Sequence, residues 1–518
     1  MPRKRLPIGI QTFREIREDN CYYVDKTGIA VDLVQSGKYY FLSRPRRFGK
    51  SLFLDTLKEL FEGNRALFTG LIADIRWDWS KKFPVISINL GDGVLRSRVE
   101  LDHRIEEILG DHERRLGVQV LHSSISGRFA NLLREAHAKS GQRVVVLVDE
   151  YDKPILDNIT DSAAALEMRQ GLKNLYSVIK GADAHIKFAF LTGVSKFSKV
   201  SIFSDLNNLT DITLDKSCST ICGYTDADID TVFAPELPGL DRAEIRHWYN
   251  GYRWLGEGIY NPFDVLLLLR SRTFRPYWFE TGTPTFLVKL LTERGYFTPN
   301  LAYQQTSLEL LSTFDVEGIT SEALLWQTGY LTVTHAHELL PGIWVYTLGY
   351  PNYEVQTSLN TVLLAGMGLD AQRTFTQRLH LPALLRAADM AGLRTHCEVL
   401  FASIPHQWQT NNPIAQYEGY YASIFYSHFA ALGLDIRPED TTNHGRIDMA
   451  VLFEGHVFLF EFKVVELVPQ GKALQQLKDK GYAEKYLGRG EPVHLIGVEF
   501  SKDARNVVGF EVETLSNS

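Results

Sequence analysis

Gly445-Arg446-Ile447-Asp448-Met449-Ala450-Val451-Leu452-Phe453-Glu454-Gly455-His456-Val457-Phe458-Leu459-Phe460-Glu461-Phe462-Lys463 sets two apolar runs of strand length on either side of Glu454-Gly455, a two-residue hairpin turn. With that turn Phe453 faces His456 and Asp448 faces Glu461. Directly opposed residues on one sheet face have Cβ atoms roughly 4.5–5.5 Å apart. Two carboxylates at that spacing repel unless a cation or a shared proton intervenes. Lys463 shares the face of Glu461 because strand side chains alternate, whereas Phe460, Phe462 and Val464 turn toward a core. An Asp opposite a Glu-x-Lys on a hairpin is expected to hold a divalent metal beside an amine, with Asp448, Glu461 and Lys463 as the catalytic set. Two alternatives stand beside this: a buried structural network, or a site that binds without cutting.

Bulk properties set the frame. At 518 residues the chain exceeds one core, and two to four domains are expected. Hydrophobic residues at 45% and charged residues at 23% are globular proportions, not those of a disordered chain. The net charge of −7 argues against a protein that coats nucleic acid nonspecifically, while a local basic groove stays open. Cys218-x3-Cys222 has no second pair to complete a zinc site, and Cys21 and Cys397 lie far away. So few cysteines suit a reducing cytosol. No apolar run reaches the roughly 18 residues of a membrane span. The basic start Arg3-Lys4-Arg5 has no apolar signal core behind it. The expectation is a cytoplasmic protein with no membrane partner, its basic start a solvated tail or a DNA-contacting arm.

Residues 1–220 alternate strand-like and helix-like stretches, the pattern of an α/β layer with a parallel sheet. Strands are expected at Tyr39–Leu42, Val85–Leu90, Val144–Val148 and Ile186–Leu191, and helices at Leu52–Phe61 and Ala130–Ala138. Residues 221–375 turn to short helices, then a hairpin of Gly329–Thr334 and Ile343–Leu348 across Pro341-Gly342, which suggests a helical or winged-helix-like middle domain. Residues 376–518 begin with helices around Ala383–Ala391 and Glu418–Leu432. The hairpin, a helix at Lys472–Leu487 and a last strand at Val493–Val498 follow, which form a third, α/β/α domain.

The first strand runs into Arg44-Pro45-Arg46-Arg47-Phe48-Gly49-Lys50-Ser51, which opens onto a helix. Gly49, Lys50 and Ser51 at a helix start aim backbone N–H groups and the positive dipole end at a phosphate. Lys50 would reach the outer phosphates of ATP and Ser51 would ligate Mg²⁺. Arg46, Arg47 and Leu52 complete the expected nucleotide contacts. Arg44 stands at the first glycine position, so the phosphate-loop pattern is incomplete. Val144–Val148 then ends in Asp149-Glu150, where a buried strand would not carry paired acids without a cation. Asp149 fits the Mg²⁺ side and Glu150 a base that orients water, against the alternative of acids capping a helix. Thr192 after the fourth strand is a γ-phosphate sensor or a plain strand cap. Trp248-Tyr249-Asn250-Gly251-Tyr252-Arg253-Trp254 would be a structural aromatic cluster or a base-stacking surface.

Leu6-Pro7-Ile8-Gly9, Tyr23-Val24-Asp25-Lys26-Thr27, Leu42–Ser51 and Phe203-Ser204-Asp205-Leu206-Asn207-Asn208 resemble the AAA-ATPase-like proteins that carry a C-terminal PD-(D/E)xK nuclease domain. In that family the Arg-Pro-Arg-Arg-Phe-Gly-Lys-Ser form is usual, so Arg44 departs from generic phosphate loops but not from these relatives. The resemblance spans nearly the whole chain. It implies a P-loop ATPase related to signal-transducing STAND ATPases, joined to a restriction-endonuclease-like domain. It also likens Tyr260-Asn261-Pro262-Phe263, with Pro262, to a lid segment near adenine, although Asn-Pro is also a plain turn. Glu418 matches the family's helical acid and would join the metal shell, or else serve the helix dipole. Glu439–Arg446 resembles the lead-in to Asp448. Gln476 and Lys480 share one helix face and would contact substrate phosphate or the site acids, or form a solvated pair. The implied partners are nucleotide and nucleic acid, DNA ahead of RNA, in a defence or DNA-transaction setting, with Mg²⁺ or Mn²⁺ as the metal. A homo-oligomer is compatible with this reading.

Overall fold

Tyr39-Tyr40-Phe41-Leu42-Ser43 is buried at every position, as a strand covered on both faces must be, and forms β1 (Tyr39–Ser43). The computed structural model describes residues 3–196, 208–281, 285–312, 320–404, 418–442, 445–466 and 468–515. Two compact units divide the chain: Met1–Thr281 with Gln305–Thr347, and Gly282–Gln304 with Leu348–Ser518.

In the first unit, α1 (Lys50–Phe61) follows β1, and then come β2 (Val85–Asn89), α2 (Arg98–Leu116) and α3 (Ile125–Ser140). β3 (Val144–Asp149), α4 (Ser162–Gly181), β4 (Ile186–Gly193) and β5 (Thr210–Asp211) complete the layer. All pairings are parallel and the order is β2-β3-β4-β1-β5. The four expected strands are all present; β5, two residues long, is too short to leave a pattern. α1 starts two residues ahead of the expected helix because its N-cap is Gly49, held at φ +92. α3 is longer than expected, capped by Ser124 and ended by Gly141 at φ +66. β4 lies between β1 and β3, so the loop after β1 and the acids after β3 flank the end of β4.

The aromatic cluster is structural. Tyr249, Tyr252 and Trp254 are buried, and Phe48 of the loop after β1 packs edge-on against Tyr252 at 4.8 Å. α5 (Pro262–Ser271) follows. The expected hairpin is β6 (Thr332–Leu340) with β7 (Ile343–Gly349), turning at Gly342. Gly329, at φ +91, closes the helix Ser321–Thr328 and does not begin a strand.

The second unit holds a mixed sheet. The helix expected around Ala383–Ala391 is two helices, Ala371–Arg386 and Met390–Ala402, parted at Ala388 with φ +47 and restarted by the Asp389 cap. α6 (Glu418–Ala430) precedes β8 (Asp435–Thr442), β9 (Gly445–Phe453) and β10 (His456–Val465). The single helix expected over Lys472–Leu487 is α7 (Lys472–Asp479) and α8 (Glu484–Leu487), because Gly481 between them is left-handed at φ +56. β11 (Val493–Ser501) and β12 (Asn506–Leu515) finish the sheet in the order β8-β9-β10-β11-β12. Only β10–β11 is parallel. Phe425 of α6 packs on Phe460 and Phe462 at 5.0 Å each, covering one face. Leu477 of α7 with Tyr482, Tyr486 and Leu459 covers the other.

Candidate functional site

Glu454 at φ +43 and Gly455 at φ +84 give the β9–β10 turn two left-handed residues, which match the twist of a tight hairpin. The register runs as the sequence implies, from Phe453↔His456 to Met449↔Phe460. There the backbone ladder hands over to a side chain: the Asp448 carboxylate accepts the Phe462 N–H at 2.8 Å. Glu461, next along β10, pairs in register with Gly497 of β11. A Cβ at Gly497 would collide with the backbone of Leu474, so this glycine lets α7 press onto the sheet. From that close seat Gln476 donates its amide to Glu461 Oε1, and Lys463 Nζ donates to the same oxygen at 3.2 Å.

Glu461 is 1% exposed, and its Oε2 is buried without a hydrogen-bond partner among the described residues. Burial first, and the Asp448 charge second, push its carboxyl up to about 7. Burial also raises Asp448, against the Phe462 N–H and the Lys463 ammonium. For Lys463, burial alone would lower the pKa, but the charges of Glu461, Glu418 and Asp448 outweigh it and the amine is raised. Glu418, at the exposed start of α6, lies 3.7 Å from Lys463. Among the described residues no three His, Cys, Asp or Glu side chains gather as a metal cage. Glu418 is brought to the lysine, which leaves Asp448 and Glu461 as the two carboxylates that could hold a cation. The orphaned Oε2 beside a second carboxylate fits a hard cation with oxygen ligands. Lys480 is exposed beyond α7.

Three residues at this site were not singled out from the sequence. Gly497 is the first, leaving room for the Leu474 backbone of α7. Glu499, 2% exposed, accepts N–H groups from Gln470, from Lys472 at 2.7 Å and from Ala473 at 3.4 Å, and so anchors the start of α7. Its signal was an acid inside the apolar run Val493–Phe500. Glu439 lies between the paired positions Pro438↔Met449 and Asp440↔Ile447, opposite Asp448, with φ +49. A left-handed non-glycine inside a strand is the kind of outlier that clusters at functional sites. Arg446 Nη1 donates to Glu439 at 3.0 Å.

In the first unit, the α1 N-terminus has no side-chain cap, and a Cβ on Gly49 would meet nothing within 4 Å. Lys50 is buried and donates to the Arg44 and Pro45 carbonyls at 2.9 Å each; burial lowers its pKa. Arg44 is fully buried. Its guanidinium donates to Ser43 O, Thr213 O and Cys218 O at 2.8, 3.0 and 3.2 Å and lies 4.1 Å from the Trp254 ring centroid. The residue at the first glycine position is therefore a strut that holds the loop. Asp149 ends β3, buried, and Glu150 follows at φ +49. Burial raises the Glu150 pKa, with Lys50 opposing and Asp149 adding to the rise. Arg46 and Arg47 are exposed, Ser51 and Leu52 partly so. The uncapped helix start facing paired acids fits a nucleotide phosphate with its cation.

Thr192 is fully buried and its hydroxyl donates to Leu42 O at 2.9 Å, tying β4 to β1. Pro262 opens α5 behind the Asn261 cap, and the Arg47 guanidinium lies 5.0 Å from the Phe263 ring, which brings that segment to the loop. Of the motif Phe203–Asn208, residues 203–207 lie outside the described residues, as do Tyr417, Asn443 and His444.

Residues 7–203 match the family described as "Predicted AAA-ATPase", and residues 416–510 match the "PD-(D/E)XK nuclease superfamily". The chain is 62% identical over 518 residues to "Uncharacterized protein in vnfD 5'region" of Azotobacter chroococcum mcd 1, across 99% of this chain and 100% of that one. The chain belongs to the AAA-ATPase-like family and carries a PD-(D/E)XK nuclease superfamily domain. In this AAA-ATPase-like protein the first matched segment holds Gly49, Lys50, Asp149, Glu150 and Thr192, and the second holds Glu418, Asp448, Glu461, Lys463 and Gln476. Among the described residues no helix is long and apolar enough to cross a membrane.

Proposed function

We propose that the second unit hydrolyses phosphodiester bonds of nucleic acid, DNA ahead of RNA, with Mg²⁺ or Mn²⁺, and that the first unit binds and hydrolyses ATP. The observation that carries the first half is the buried Glu461 carboxylate, within electrostatic reach of Asp448, with one oxygen held by Lys463 and Gln476 and the other orphaned. Asp448 and Glu461 would hold the metal. When bound, the metal supplies a more acidic water and charge neutralisation at the phosphate. Gln476 fixes the rotamer of Glu461, and the Phe462 N–H fixes that of Asp448. Lys463 offers its ammonium to a phosphate oxygen or to the attacking water, and in either role keeps the buried Glu461 and the half-buried Asp448 compatible with a folded core.

In the first unit Lys50 would exchange the carbonyls of Arg44 and Pro45 for outer phosphate oxygens. Ser51 and Asp149 would hold Mg²⁺, and Glu150 would orient the water. Nucleotide state would then govern cleavage, a coupling that rests on the two sites occurring in one chain. A second reading, nucleotide-dependent binding or signalling without cleavage, draws on Lys463 being paired with Glu461 and Glu418 at once. Plasmid and single-stranded substrates with Mg²⁺ or Mn²⁺, with and without ATP, test the two. Cutting by the native chain that is lost in Asp448→Ala and Lys463→Ala supports hydrolysis. Retained binding without cutting under any condition supports the second reading.

A further inference from the structure

Beside Asp448 a cavity of about 210 Å³ enters the second unit. Its opening carries Glu418 and the Arg446–Glu439 ion pair, and its inner wall is Met449 and Phe462. Phe297, half-buried, supplies an aromatic wall opposite the first turns of α6. The α6 residues that reach this space beyond Glu418 are Gly419, Ala422 and Tyr426. Of the α6 positions at the cavity, Gly419 and Ala422 are small and Tyr426 is large, on a helix that also carries Tyr420, Tyr421, Ile424, Phe425 and Phe429. A Cβ on Gly419 would lie in ordinary contact with the Phe297 ring at 3.5 Å, so a longer side chain at this position would enter the space.

The contents of the cavity follow from its size, lining and place. It is too narrow for a double helix, whose major groove alone is about 12 Å wide. One wall is a carboxylate of the proposed metal pair, so an occupant would adjoin the scissile phosphate. The aromatic and apolar side chains of the wall suit the flat face of a base, which stacks on rings whatever its sequence, and the polar part of the lining is Glu418, Asp448 and the Arg446–Glu439 pair. A base stacked in a duplex cannot enter; one turned out of the stack can. The geometry points to a pocket for a single unstacked nucleobase next to the cleaved phosphate, so that the substrate is single-stranded or locally unpaired nucleic acid. This rests on the phosphodiesterase reading above.

The test uses the full chain with three end-labelled oligonucleotides of one sequence: a single strand, a full duplex, and a duplex with a central unpaired loop. In Mg²⁺ or Mn²⁺ the unpaired forms should be cut about tenfold faster or more, the value of one base–aromatic stack. Ala422→Phe, which fills the cavity, should remove that preference chiefly through KM, and Gly419→Leu serves if the first variant melts early. In the Lys463→Ala background, a single strand carrying 2-aminopurine should change fluorescence on binding, and the change should vanish when Ala422→Phe is added. Equal cutting of paired and unpaired substrates, unaltered by either cavity variant, would overturn the pocket and leave the phosphodiesterase reading standing. A fluorescence change that depends on the cavity, without cutting by any chain, would support the pocket and remove the hydrolysis. No binding and no cutting would remove both.

Discussion

Lys463 holds Glu461 by Oε1 at 3.2 Å, while Oε2 of the same carboxylate is buried with no hydrogen-bond partner among the described residues. One oxygen is thus committed to the fold and the other is left unsatisfied by it. Without a metal, a sealed carboxylate is costly when ionised. Its folded value of about 7 lies above the ordinary 4.5, so the folded protein holds a proton that the unfolded chain has released between those values. Stability from this group is therefore present below about 4.5 and lost as pH rises toward 7. Glu461→Gln should melt higher than the native chain at pH 8 in EDTA, by about 2 kcal/mol, with the gap closing toward pH 5. The same variant should lose cleavage. A lower melting temperature at pH 8 would mean that the acid is stabilising and the burial argument is wrong.

The buried imidazoles behave oppositely. His396 and His428 meet Nε2 to Nε2 at 2.9 Å, and burial lowers both, His396 to about 4. His380 adds to the lowering at His396, and His396 and Arg378 add to it at His428. The unfolded chain takes up protons below about 6.5 that the folded pair refuses, so stability is full above 6.5 and lost as pH falls toward 4. Chemical denaturation between pH 7 and 5 should show the native chain losing stability, and His428→Leu a visibly smaller loss. Equal slopes would exclude the pair as the cause.

Arg44 gives a prediction that separates charge from shape. Three carbonyl oxygens and the Trp254 face are served by one planar guanidinium. An ammonium cannot reproduce that fork or the stacking. Arg44→Ala should cost about 3 kcal/mol, since it takes its donors from the Ser43 and Thr213 carbonyls, while the Cys218 carbonyl keeps the Ile221 N–H. Arg44→Lys should recover less than half of this in thermal melts, and both should weaken ATP binding measured by a fluorescent analogue. Full recovery with lysine would show that charge alone is needed.

These residues also mark where the sequence was readable. Period-two alternation and the Glu454-Gly455 turn carried the register of β9 with β10 down to Met449↔Phe460, one pair short of the expected facing of Asp448 and Glu461: Asp448 accepts the Phe462 N–H instead, while Lys463 reaches Glu461 as its place on the same face implies. The four strands of the parallel sheet were equally plain, because a strand buried on both faces is an unbroken apolar run. β8 was hidden by its polar, proline-containing sequence, which only an edge position tolerates, and β12 by alternation with acids. Gly481 split the expected Lys472–Leu487 helix through a single left-handed residue that helical periodicity does not register. Thr192 looked like a sensor by position, yet its hydroxyl is turned into the sheet. Gly497 and Glu499 act through α7, and an effect transmitted by a neighbouring helix leaves no local motif.

Glu439 yields the last prediction. It sits opposite Asp448 at φ +49, a backbone region that costs a non-glycine residue about 1–3 kcal/mol. Its ion pair with Arg446 is solvent-screened, with 38% of the Glu439 side chain and 59% of the Arg446 side chain exposed, and contributes little. Glu439→Gly should relieve the strain at the expense of a looser unfolded chain, for a net gain of about 0.5–1 kcal/mol in denaturant titrations. Because the charge of Glu439 raises the Asp448 carboxyl, its removal should let Asp448 ionise at lower pH, and the acid limb of the cleavage profile should move down. Glu439→Gln keeps the backbone strain and removes the same charge, so it should move the acid limb without the gain in stability. If the glycine variant is less stable than the native chain, the left-handed residue is not strained and its carboxylate is part of what holds β8 to β9.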